Sequence, residues 1–149
     1  DPGPFTLPGP TGESNRLSLH PKGTVLCLGP SAEIALAQGV QALAAGCGTV
    51  IACKGVDAAA LVAAGAPVAV LDGTVAADTL TGLSGIASVA AAGASDWTRG
   101  LRVALAAREG PITPLETAVI APARYVTERH LCIDTTAAGG NASLLASVE

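Results

Sequence analysis

The chain has 149 residues, four cysteines and a net charge of −4, and half of its residues are hydrophobic. This length favours a single domain, the acidic balance argues against a nucleic-acid-binding surface, and no run of about 18 apolar residues predicts a membrane span. Because Trp, Tyr and Phe occur once each, the core must be built from Ala, Val, Leu and Ile, which bury little area per side chain.

The N-terminal segment 1–15 contains four Pro and three Gly and is predicted to be an extended linker, because these residues do not sustain a helix. Such a beginning, without an initial Met, indicates a piece excised from a larger polypeptide. Residues 16–19 alternate apolar and polar side chains and predict a short edge strand, followed by a turn over 20–23.

Residues 16–116 alternate short apolar runs with helix-forming segments, a pattern that predicts an α/β fold with a Rossmann-like doubly wound parallel sheet of about five strands. Ser31 and Ser95 precede two of the helices and are predicted N-caps. The predicted strands are 24–28, 49–53, 67–71, 86–91 and 112–115, and the predicted helices are 32–45, 57–64, 76–83 and 96–108. The first and last helices are expected to bury Ile34, Leu36, Val40 and Leu43, and Trp97, Leu101, Val103 and Leu105, respectively.

Residues 117–149 break the alternation and predict a projecting β flap with an extended tail. Residues 117–133 indicate one or two longer strands; in a strand, His130 and Cys132 share one face, whereas Leu131 and Ile133 share the other. The tail is rich in small residues around the run Gly139-Gly140-Asn141. Small, conformationally permissive residues suit close packing on another surface; the alternative is a frayed terminus after an edge strand.

The residues alone predict no catalytic or metal site. The first strand–helix turn offers a single glycine, Gly29, and places Glu33 where a phosphate would bind, so the dinucleotide fingerprint is weak. Cys132 and His130 could form a dyad, but nothing in the sequence supplies an orienting group or an oxyanion hole. The His and Cys residues lack metal-ligand spacing.

Several motifs resemble known families. The runs PKGTVL (21–26) and AAGCGTVIACK (44–54) resemble the NAD-binding domain of the aldehyde dehydrogenase superfamily, and segments 86–95 and 106–112 resemble a later stretch of that domain. More closely, residues 7–30, the run AAREGPITPL (106–115) and the tail TTAAGGNASLL (135–145) resemble the C-terminal region of the long bacterial proline utilization A family.

The resemblance implies a parent enzyme that is bifunctional, with an FAD-dependent proline dehydrogenase domain and an NAD-dependent L-glutamate-γ-semialdehyde dehydrogenase domain. The present chain would be a degenerate C-terminal domain that needs neither cofactor itself. Its flap and tail would pack on the parent's aldehyde dehydrogenase domain and close the cavity that channels the intermediate, and the flap could also self-associate. The implied location is cytoplasmic, with the parent either free or peripheral at the inner membrane.

The resemblance also assigns residues. Lys54, Gly93 and Ser95 match cofactor-contacting positions and are predicted to be a vestigial cofactor site. The run Pro30-Ser31-Ala32-Glu33 replaces the family's aromatic-Asn-aromatic-Pro motif, Ala91 and Ala92 replace a Phe-Thr pair, and the match of Glu116 to the general base stays open. The predicted interaction residues are Leu131, Ile133, Thr135, Thr136, Gly139, Gly140, Asn141, Ser143 and Leu144.

The family's catalytic domain, with its nucleophilic cysteine, has no counterpart in the chain, so no thiohemiacetal can form by the family's route. We therefore expect a non-catalytic structural and interaction domain of a bifunctional proline-catabolising enzyme, and not an enzyme in its own right. Two alternatives stay open at this point. One is a vestigial NAD-binding regulatory module that uses Lys54, and the other is an independent thiol enzyme that uses Cys132.

Overall fold

The computed structural model describes residues 3–134. Eight strands and four helices alternate along much of this range, with one short 3₁₀ helix near its end. The strands are β1 (Phe5–Leu7), β2 (Glu13–Pro21), β3 (Thr24–Gly29), β4 (Gly48–Ala52), β5 (Val68–Leu71), β6 (Ser88–Ala91), β7 (Leu115–Glu116) and β8 (Val126–Asp134). The helices are α1 (Ala32–Ala44), α2 (Ala59–Ala63), α3 (Thr79–Gly82) and α4 (Ser95–Ala106), and the 3₁₀ helix is Pro122–Tyr125.

Five strands form one parallel sheet in the order β5-β4-β3-β6-β7, which confirms the predicted α/β class. The chain runs outward from β3 to β5, then returns to place β6 on the other side of β3. The strand order therefore reverses between β3 and β6. In open α/β sheets, ligands bind at the carboxyl ends of the strands where this reversal occurs, which makes this edge of the sheet the first place to look for a site.

The sheet has a separate core on each face. The first core holds Val25, Cys27, Ile51 and the small residues of α1, together with Tyr125 from the 3₁₀ helix. The second core holds Leu26, Val89 and the buried residues of α3 and α4. Alternate residues of β3 thus point into opposite cores, as the two-residue period of a strand requires, and both faces of its centre are covered as expected for a parallel sheet.

The predicted packing faces of the helices were partly wrong. Helix α1 buries Ala35, Gln38, Gly39 and Ala42, whereas Val40 is 45% exposed. One reason is the close approach of α1 to the sheet: a Cβ at position 39 would lie 2.7 Å from Cδ1 of Ile51, so any residue larger than glycine there would force Ile51 to move. Helix α4 likewise buries Thr98, Leu101, Ala104 and Leu105 and leaves Val103 exposed.

The two predicted N-caps differ in outcome. Ser31 caps α1, because its Oγ accepts a hydrogen bond from the backbone N–H of Ile34 at 3.4 Å. Ser95 does not cap α4; it is the first helical residue, and Ala94 takes the N-cap position without a side-chain hydrogen bond. The last strand of the sheet is also shorter than predicted, since only Leu115–Glu116 pairs with β6 and Ile112 is fully exposed.

The remaining strands form a second, three-stranded sheet in the order β1-β2-β8, with β1 antiparallel to β2. Strand β1 lies inside the segment predicted as a linker. By contacts the chain divides into two units, one comprising residues 21–126 and the other the described residues on either side, 3–20 and 127–134. The predicted division into 1–15, 16–116 and 117–149 stays a prediction.

Within residues 3–134, no helix is long and apolar enough to cross a membrane.

Candidate functional site

A cleft of about 260 Å³ lies at the carboxyl ends of β3 and β4, next to the reversal of strand order between β3 and β6. Its lining is almost entirely apolar, and Trp97 from the first turn of α4 forms one wall. Such a cleft has the position of a nucleotide site but few of the convergent polar groups that fix a ligand's orientation. The lining residues are Leu28, Pro30, Ala52, Cys53, Thr74, Val75 and Trp97.

The predicted vestigial residues lie at this same edge of the sheet. Lys54 follows β4, Gly93 follows β6, and Ser95 begins α4; all three are exposed. The Trp97 ring packs against Gly93, because a Cβ built on Gly93 would lie 2.6 Å from Cε3 of Trp97. The tryptophan ring therefore fills the space that a side chain at Gly93 would occupy.

The turn between β3 and α1 does not suit a pyrophosphate, the group by which NAD is held in this fold. The N–H of Gly29 is already donated to Oε1 of the fully buried Gln38 at 3.1 Å. Pro30 has no N–H to donate, and the Glu33 carboxylate lies in the first turn of α1, where it opposes a bound anion. Gln38, which holds this turn, carried no signal in the sequence, because a glutamine in a helix is usually exposed.

The second candidate is the surface of β8, where the structure places two of the predicted interaction residues. Leu131 and Ile133 are 54% and 44% exposed, and because they are two residues apart they share one face of the strand. On the other face, Nε2 of His130 lies 3.1 Å from Oδ1 of the buried Asn15 in β2. The predicted interaction residues Thr135, Thr136, Gly139, Gly140, Asn141, Ser143 and Leu144 lie outside the described residues.

The described part of the chain contains no arrangement that resembles a thiol enzyme. Cys132 is exposed and free, but the hydrogen bond of His130 goes to Asn15 and none joins it to Cys132. The thiol of Cys27 lies in the first core, where burial raises its pKa to about 12, so it is protonated at neutral pH and a poor nucleophile.

The described residues also give no support for a carboxylate general base or for a metal site. Glu116 forms an ion pair with Arg124 at 3.6 Å, which gives its carboxylate a local partner within the same unit. No group of three or more His, Cys, Asp or Glu side chains that could hold a metal occurs within residues 3–134. The described site residues are therefore those of an apolar cleft and an exposed strand.

Comparisons with known proteins show which proteins this chain is similar to. No family model matches it. The bifunctional protein PutA of Escherichia coli K12 is 34% identical over 145 residues, which is 93% of this chain and 11% of that protein. A solved structure of a Bradyrhizobium japonicum proline utilization A (PutA) variant matches with a TM-score of 0.63 at 30% identity, over 76% of this chain and 13% of that one.

A more distant structure shows the fold alone. An NAD-dependent benzaldehyde dehydrogenase from Corynebacterium glutamicum matches with a TM-score of 0.60 at 18% identity, over 77% of this chain and 28% of that one. The chain is thus homologous to part of PutA and has a fold shared with aldehyde dehydrogenases, and it spans about a tenth of the length of the curated relatives that it matches.

Proposed function

We propose that this chain is a non-catalytic interaction domain of a larger proline-catabolising enzyme of the PutA type. In the proposal, the parent is cytoplasmic and converts proline to glutamate with FAD and NAD. The surface of β8 and the tail that follows it pack on the parent's aldehyde dehydrogenase domain and help to retain the intermediate.

The observation that carries the proposal is the pair of large apolar side chains exposed on β8. Leu131 and Ile133 share one exposed face of β8, which is an edge strand of the three-stranded sheet within the described residues. An edge strand with exposed apolar side chains is prone to pair or pack with another surface. The absence of a catalytic constellation among residues 3–134 and the homology to part of PutA support the same function.

The test is a double substitution, Leu131→Asp with Ile133→Asp, in the parent polypeptide. Placing two unpaired carboxylates in an apolar interface costs several kcal/mol, and roughly 1.4 kcal/mol corresponds to a tenfold change in an equilibrium. We expect the coupled conversion of proline to glutamate to fall by at least tenfold, while proline oxidation measured with an artificial electron acceptor stays within about twofold. Truncation of the parent before Thr135 should also lower the coupled conversion of proline to glutamate and leave proline oxidation intact.

A matched control separates the interface from a general effect of added charge. Val40 and Val62 are 45% and 57% exposed, nearly the same as the two β8 residues, but they lie on α1 and α2. The double variant Val40→Asp with Val62→Asp should leave the coupled rate unchanged. Equal losses in the two double variants, or no loss in either, would contradict the proposal.

A surviving nucleotide-binding module is the second candidate function, and the cleft beside Lys54 is the observation in its favour. We propose that this chain needs no cofactor, because the Gly29 N–H is engaged by Gln38 and the Trp97 ring covers Gly93. Two phosphates would meet Glu33 with few backbone donors to offset the repulsion.

Calorimetric titration of the chain with NAD decides whether the chain is a nucleotide-binding module or needs no cofactor. We expect no saturable heat at millimolar NAD, and the same for the variant Lys54→Ala. Saturable binding that Lys54→Ala weakens would establish the regulatory module instead.

A further inference from the structure

A second cleft lies at the opposite edge of the parallel sheet from the apolar one, beside the end of α4 and the loop that leads into β7. Its volume is about 440 Å³, within the range of small-molecule sites. Two arginines line it, Arg102 on α4 and Arg108 just after that helix, and no acidic residue is among the lining residues. Both charges have the sign that attracts an anion, whereas Glu109, which follows Arg108, lines the adjoining cleft.

The protein satisfies these two guanidinium groups only in part. Arg108 donates from one terminal nitrogen to the carbonyl of Leu80, while its Nε is buried and has no hydrogen-bond partner within residues 3–134. Buried donors without a partner are rare in native proteins. Arg99, one turn before Arg102 on the same helix, differs from both because it forms an ion pair with Asp96 at 3.2 Å and does not line the cleft.

Apart from Gly110 and Thr113, the rest of the lining is apolar. Leu105 and Leu115 contribute aliphatic walls, and Pro111 and Pro114 fix the backbone of the loop. Leu115 pairs with β6, and the carbonyl of Pro114 accepts the N–H of Val89 at 3.0 Å, so the loop end is tied to the sheet. A preformed cleft loses less conformational entropy on binding than a mobile one.

We propose that this cleft binds a small organic acid, with its carboxylate against Arg102 and Arg108 and its aliphatic part against the leucine and proline side chains. Guanidinium groups match the planar carboxylate in charge and in geometry. The apolar walls favour an aliphatic acid over inorganic phosphate, whose hydration shell they cannot replace. This site does not depend on the interaction function proposed for β8 and the tail.

The test is an NMR titration of the ¹⁵N-labelled chain with pentanoate, followed through the backbone amides of Gly110, Ile112 and Thr113. We expect saturable shifts at these amides with roughly millimolar affinity, the scale that a few well-packed heavy atoms allow. The neutral analogue 1-pentanol and inorganic phosphate should each bind at least tenfold more weakly.

Two variants of α4 make the test specific. Arg102 is exposed, so Arg102→Gln should leave the fold intact and weaken pentanoate binding by about tenfold, the effect expected for one charged hydrogen bond. Arg99→Gln, which removes an equal charge one turn away, should leave the affinity unchanged. The proposal is overturned if the shifts do not saturate, if pentanol or phosphate binds as tightly as pentanoate, or if the two variants weaken binding equally.

Discussion

Replacing Tyr125 by alanine is expected to lower the free energy of unfolding by about 3–5 kcal/mol, the range for removal of a buried aromatic ring. Replacing it by phenylalanine should leave that free energy unchanged or raise it by about 1 kcal/mol, because the lost hydroxyl makes no compensating hydrogen bond. The two variants differ only in whether the ring is kept, so the comparison isolates the packing of the ring.

The structural basis is the position of Tyr125 in the first core. The residue is fully buried and is the largest fully buried side chain of the described residues, although it comes from the short 3₁₀ helix and not from the sheet or α1. Its hydroxyl is buried without a hydrogen-bond partner within residues 3–134. Its backbone carbonyl accepts the N–H of Lys22 at 3.1 Å and the thiol of Cys47 at 3.2 Å, and both bonds survive either substitution.

Urea unfolding followed by circular dichroism measures both effects. As a control, Tyr125→Leu keeps the site apolar but leaves a smaller cavity than alanine, so its loss should lie between those of the other two variants. A loss for Tyr125→Phe as large as that for Tyr125→Ala would mean that the hydroxyl contributes most of the stability, and would contradict this account.

The sequence predicts the parallel sheet well for a physical reason. Each buried strand is a short run of Val, Ile, Leu, Ala and Cys, bounded by glycines that must take positive φ, such as Gly29 and Gly46. These local signals do not depend on tertiary contacts. The position of Tyr125 does depend on them, since a lone tyrosine between Arg124 and Val126 fits an exposed strand equally well, and the sequence pattern therefore predicts that it lies in the flap.

The packing of the helices also depends on tertiary contacts that local sequence signals do not contain. Hydrophobicity selects Val40 as a core residue, but the distance between α1 and the sheet selects alanine and glycine instead, as the contact of Gly39 with Ile51 shows. That distance is a property of the whole layer and cannot be obtained from one helix.

Some features of the candidate site can be assigned from the sequence, and others depend on contacts that only the structure shows. Resemblance assigns Lys54 and Gly93 to a vestigial cofactor site, an assignment that stays a prediction, and the two residues follow β4 and β6 in the structure. It could not reveal that Trp97 packs on Gly93 or that Gln38 accepts the Gly29 N–H, because both contacts join residues that no motif links. The sequence also gives no signal for the cleft that Arg102 and Arg108 line, since the two residues are six positions apart and no motif links them.

The buried titrating groups of the first core predict that the folded chain loses stability steeply in alkaline solution. Burial raises the pKa of Cys27 from 9.0 to about 12 and that of Tyr125 from 10.0 to about 12. Both groups stay protonated longer in the folded state than in the unfolded one, so above pH 9 the unfolded state holds fewer protons and is favoured as the pH rises.

The stabilisation is therefore fully present below about pH 9 and is lost progressively up to about pH 12, with a slope of roughly 1.4 kcal/mol per pH unit for each group that titrates in this way. From about pH 9 to 10 only Cys27 lowers the free energy of unfolding in this way, and above about pH 10 Tyr125 lowers it as well. The total loss across the interval is expected to be several kcal/mol.

Three variants assign the slope, each measured by urea unfolding at a series of pH values from 7 to 11. Cys27→Ala should cost about 1–2 kcal/mol at neutral pH through the small cavity that it leaves, but its free energy of unfolding should fall less steeply with pH from pH 9 upward. Tyr125→Phe should remove the additional slope above pH 10. Cys132→Ala, which removes an exposed thiol, should follow the unsubstituted chain at every pH; if Cys27→Ala also followed it in parallel, burial of the Cys27 thiol would not be a source of the alkaline loss.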